Sequence, residues 1–139
     1  MRPRWIRLFL MPGIVLLGAL ILWRIGVERA SRGADVAHAS VARWCSEAQS
    51  GGVAPAAIAA ASPLIRPQLE AAFATLAGVA DVTVEVANGD HPEFGRPDDP
   101  ATHHALIRGD GRDLFGLRLF VHETKVTVIG LWRPDPTIP

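Results

Sequence analysis

An apolar run from Leu8 to Trp23, bracketed by arginines on both sides, is the feature that most limits what this chain can become. Arg2, Arg4 and Arg7 precede it, Arg24, Arg29 and Arg32 follow it, and Trp5 and Trp23 stand near its ends, where interfacial aromatics are found. As a helix the run would extend about 24 Å, short of a hydrocarbon core of roughly 30 Å. Trp5, Ile6, Ile25, Gly26 and Val27 lengthen it to about 34 Å, and Arg7 and Arg24 can snorkel to the interface. The run lacks the polar face that a helix in a soluble fold presents. One membrane crossing is therefore predicted, with Arg4, Trp5, Arg7, Trp23 and Arg24 at the interfaces and the lipid bilayer as a partner. Pro12 lies near the first turns of this helix, where a lost backbone donor costs least, and a slight kink is expected there.

A cleaved secretory leader has the same basic start and apolar stretch. The only good small-x-small site, Ala37-His38-Ala39, lies well past the run, with Arg24, Glu28, Arg29 and Arg32 in between. An uncleaved anchor is the better reading. Three arginines on each side leave the positive-inside rule nearly tied. The short basic tail before the run favours a cytoplasmic amino terminus, with everything after Trp23 translocated. In a bacterium this means the inner membrane and a periplasmic domain.

Charge divides the chain. Residues 1–32 carry six Arg against Glu28, whereas the remainder carries eight basic and thirteen acidic groups, a net charge of minus five. Phosphate binding needs a concentrated basic face, so nucleic acid is excluded as a partner. Anionic lipid headgroups account better for the basic collar. Cys45 is the only cysteine, which leaves no internal disulfide, no Cys-x-x-Cys motif and no haem attachment sequence; it reads as a small core residue.

About a hundred residues follow the anchor, enough for one small core. Ala37, Val41, Trp44, Cys45 and Ala48 fall at helical spacing within Asp35 to Gln49, and Ser50-Gly51-Gly52 breaks the pattern. With Gly33 the only strong interruption between Trp23 and Asp35, the membrane helix can run on past the surface before this second segment begins, a stiff juncture that would hold the domain close to the bilayer. Val53 to Ser62 is alanine-rich and fits a short helix or coil equally. Pro67 suits a first helical position, Leu69, Ala72, Phe73 and Leu76 form one stripe, and Gly78 is placed for a left-handed cap. Ser62-Pro63 is an alternative start for that helix.

Beyond Gly78 the period becomes two. Val82, Val84 and Val86 alternate with polar residues, and His103–Arg108, Leu114–His122 and Lys125–Trp132 read as three further strands. Glu123-Thr124 predicts a hairpin between the last two, and Gly109-Asp110-Gly111 a turn before them. Helices followed by strands indicate an α+β fold: a single transmembrane helix, then an antiparallel sheet of about four strands packed by one or two helices. The predicted boundaries are 1–32 for the anchor, 33–62 for an amphipathic helix and linker, 63–133 for the α+β domain and 134–139 for an extended Pro-rich tail. Leu114–His122 is apolar on both faces; Leu117, Leu119 and Val121 are assigned to one and Phe115 and Phe120 to the other. Cover for the second is expected from the Asp35 helix or another protein. The passage Leu69 to Val86 resembles the helix-to-strand step of many ferredoxin-like and ring-building periplasmic domains, and it implies no residue roles.

The densest cluster of ligand-type side chains is Asp90, His91, Glu93, Asp98, Asp99, His103 and His104. Imidazoles and carboxylates suit zinc, so His91, His103 and His104 are candidate metal ligands, although adjacent histidines in a strand face opposite ways. Asn88 to Thr102 is a long Pro-, Gly- and Asp-rich connection of the kind that often carries a contact surface. Within it Pro92 and Phe94, together with Trp132, Pro134 and Pro136 near the carboxyl end, are candidate partner-binding residues. No nucleophile elbow, paired-carboxylate pocket or phosphate-cradling loop occurs, so no cofactor and no enzymatic activity are predicted. These readings converge on a membrane-anchored accessory or structural subunit that docks on a larger integral-membrane complex. The alternative is a membrane-tethered domain that binds a metal or small ligand.

Overall fold

A computed structural model describes residues 4–87 and 102–134. The chain falls into two compact units, residues 1–31 and 32–139, and the first helix, α1 (Arg4–Gly51), contributes to both.

In the first unit α1 is a bare apolar helix. Leu10, Met11, Ile14, Val15, Leu16, Leu17, Leu20, Ile21 and Leu22 are all exposed, as is Trp23. An 18-residue window of this helix reaches a mean hydropathy of 2.0 with none of it buried in the fold, so α1 is long and apolar enough to cross a membrane.

In the second unit the rest of α1 is amphipathic. Ala37, Val41, Trp44, Cys45 and Ala48 make one stripe and are all buried. Two short helices follow: α2 (Pro55–Ala59) and α3 (Arg66–Ala74), each with a proline in its first turn, where the missing N–H has no helical partner to lose. The alanine-rich stretch left open above is thus partly helical. Gly78 has the expected positive φ, +76, but it does not cap α3: the helix ends earlier, with Thr75 as a right-handed C-cap, and the Gly78 N–H donates to Gln49 O instead of returning to an α3 carbonyl.

Four strands form an antiparallel meander in chain order, β1 (Val82–Ala87), β2 (Thr102–Gly109), β3 (Arg112–His122) and β4 (Lys125–Trp132). Asp110 and Gly111 both have positive φ and make the two-residue β2–β3 turn, whose twist matches that of the paired strands. Glu123-Thr124 closes the β3–β4 hairpin as expected. The register sets Ile107 between Val84 and Phe115, Ala105 beside Leu117, and Leu119 beside Val128. That face packs in one core with α1, α2 and α3, and Phe73 of α3 meets Phe115 edge-on at 5.4 Å and 74°.

Two assignments made from the sequence are corrected here. Phe115 lies on the same face as Leu117, Leu119 and Val121, because β3 alternates without a break between them, and it is fully buried. The Asp35 helix does not cover the Phe120 face; its stripe belongs to the opposite, Leu117 side. Two irregularities punctuate the sheet. Arg108 pairs with Asp113 while Ile107 pairs with Phe115, which leaves Leu114 unpaired; Arg118 pairs with Gly130 while Leu119 pairs with Val128, which leaves Ile129 unpaired.

Both sheet edges receive contacts from helical segments. On the β1 edge His38 donates from Nε2 to the Val84 carbonyl (3.2 Å). On the β4 edge Ser62 N–H donates to Val128 O (3.2 Å) and Val128 N–H to Ala60 O (2.9 Å). Such contacts occupy backbone groups that would otherwise template pairing with another chain.

Candidate docking surfaces

The ends of the second unit follow from its hydrogen bonds and register. Gly33, near the start of its share of α1, lies against His103. Gln49, near the other end, donates from Nε2 to Val79 O (2.8 Å) and accepts from Gly78 N–H (3.3 Å). β1 therefore runs from the Gln49 end toward the Gly33 end. Alternation of strand direction puts Ala87 and the β3–β4 hairpin at the Gly33 end, and Trp132 toward the Asp110-Gly111 end.

Of the residues predicted to bind a partner, Trp132 and Pro134 are among the described residues. Trp132 and Pro134 leave the sheet at one end. Pro92, Phe94 and Pro136 lie outside the described residues. Trp132 pairs with Gly116, six residues along β3 from the hairpin residue His122, a span of about 20 Å. Of the residues predicted for the membrane interfaces, Trp23 and Arg24 project from α1 exposed, and Arg24 approaches Glu28 one turn later at 4.0 Å. Arg4, Trp5 and Arg7 fall in the first two turns of α1.

The candidate metal ligands separate as strand alternation requires. His103 points into the core face and is 1% exposed, whereas His104 points to the outer face and is 4% exposed. His91 is outside the described residues. No group of three or more His, Cys, Asp or Glu side chains poised for a metal occurs among the described residues. Arg108 pairs with Asp113 at 2.7 Å and with Glu85 at 3.8 Å; all three are solvated, so the cluster contributes little to stability. Burial pushes the Cys45 thiol up to about 12, so it stays protonated and is a poor nucleophile at neutral pH.

Among the described residues of the second unit, two apolar surfaces stand out. The outer sheet face carries half-buried Leu106, Phe120 and Trp132, with Ile129 at the second bulge 43% exposed. The other is a groove of about 930 Å³ between α2 and α3, with Ala54 and Phe73 its buried lining residues and Val53, Pro55, Ile58, Pro67 and Ala71 its more exposed ones. Arg66 and Glu70 supply its charges, and Arg66 is held in part by donation from Nε to Ala61 O (3.3 Å). The groove begins at Gly52, directly after α1, and so lies toward the end of α1 away from Gly33. Sequence reasoning did not single it out. The available signal was the pair of prolines, Pro55 and Pro67, opening two short helices separated by alanines, which are too small to fill the space between them. Its chemistry suits an apolar segment with a polar margin, as in docking of a peptide or helix.

Comparison with protein-family models, with curated proteins and with solved structures returns no match.

Proposed function

We propose that this chain is a single-pass, membrane-anchored accessory subunit whose small α+β domain docks on a larger integral-membrane complex of respiratory, photosynthetic or secretory type. The amino terminus is cytoplasmic and the domain extracytoplasmic, which in a bacterium is the periplasmic side of the inner membrane. One observation supports this reading above the rest. The apolar part of α1 is bare of any covering core, while the same helix, from Ala37 to Ala48, supplies one side of the core of the folded unit.

That arrangement also bears on maturation. Cleavage after Ala39 would remove Ala37 from the core, Gly33 from its packing against His103, and His38 from the Val84 carbonyl. The fold thus favours retention of the anchor over its removal as a leader. Docking is assigned to the α2–α3 groove, with Trp132 and Pro134 as a second contact, since an exposed apolar groove with charged margins fits a partner segment.

The test is native purification of the tagged full chain in mild detergent, with intact mass and mass spectrometry of the accompanying proteins. A stoichiometric membrane complex containing the uncleaved chain is the expected result. A chain that migrates alone would overturn the subunit role, and a mature amino terminus at or near His38 to Ser40 would overturn the anchor.

A further inference from the structure

We draw no further inference here: the strongest candidate, the outer face of the sheet around Phe120, Ile129 and Trp132, is an apolar surface for which nothing in the structure shows what covers it.

Discussion

Gly33 and His103 are in closest packing: a Cβ placed on Gly33 would lie 2.9 Å from Cε1 of the imidazole and 3.3 Å from Nε2. The ring is 1% exposed and has little room to retreat. Glycine is here a requirement of close approach between α1 and β2, because a helix interior otherwise prefers alanine by about 1 kcal/mol. Gly33→Val, which adds volume and branching at the contact, is expected to destabilise the domain by about 2–3 kcal/mol, within the usual range for overpacking. Gly33→Ala should cost less, because propensity offsets part of the clash. Thermal and urea unfolding of the full chain in detergent, with His103→Ala added to Gly33→Ala to make room, tests the contact. If the double variant regains nothing over the sum of the single ones, the ring is not the obstacle.

The edge-on pair Phe73–Phe115 ties α3 to the middle of the sheet. Either ring truncated to alanine should cost about 3–5 kcal/mol, since both are essentially fully buried. A double-mutant cycle should return a coupling of about 0.5–1.5 kcal/mol beyond area burial. Strict additivity would show that the two rings merely share a core.

What could be read from the residues divides along physical lines. The strands were legible because alternation with a solvated partner leaves a period of two, as in Val82-Thr83-Val84-Glu85-Val86. The β3–β4 hairpin was legible because only Glu123-Thr124 separates two apolar runs. The stripe Ala37 to Ala48 was equally plain, but a stripe states that a face is buried and not against what, so its assignment to the Phe120 side did not hold. Leu114 and Ile129 at the bulges were illegible, because an extra residue in one strand leaves no mark until its neighbour is known. The α2–α3 groove was illegible for a different reason. Alanines give no apolar contrast to read, and a groove is made by what small side chains fail to fill.

Cys45 gives the domain a specific dependence on alkaline pH. Its thiol is raised from 9.0 to about 12 by burial, so below pH 9 the folded and unfolded chains both hold the proton and no difference arises. Above pH 9 the unfolded chain loses that proton while the folded chain keeps it, and stability falls by about 1.4 kcal/mol per pH unit until the folded thiol also titrates near 12. The urea midpoint should therefore drop more steeply between pH 9 and 11 in the wild type than in Cys45→Ala. Parallel curves for the two proteins would remove the thiol from the account. By the same burial, alkylation of Cys45 at pH 7.5 should be slow in native protein and rapid in urea.

The groove makes the docking proposal separable from simple misfolding. Ala71 is exposed on α3 and lines the groove, so Ala71→Arg places a charge among Val53, Ile58 and Pro67 without entering the core. A surface change of this kind should alter stability by no more than about 0.5 kcal/mol. A charge facing a desolvated apolar anchor should nevertheless weaken association by about 2 kcal/mol or more, roughly thirtyfold, enough to strip the subunit from its complex during purification. Ile129→Arg, on the bulged β4 edge, provides the comparison at a different surface. If Ala71→Arg loses the complex at unchanged melting temperature and Ile129→Arg keeps it, the groove is the docking site. The opposite pattern would move docking to the β4 edge and the outer face of the sheet. Retention of the complex by both variants would leave the Trp132–Pro134 contact, the membrane helix, or the connection between β1 and β2, as the element that holds the partner.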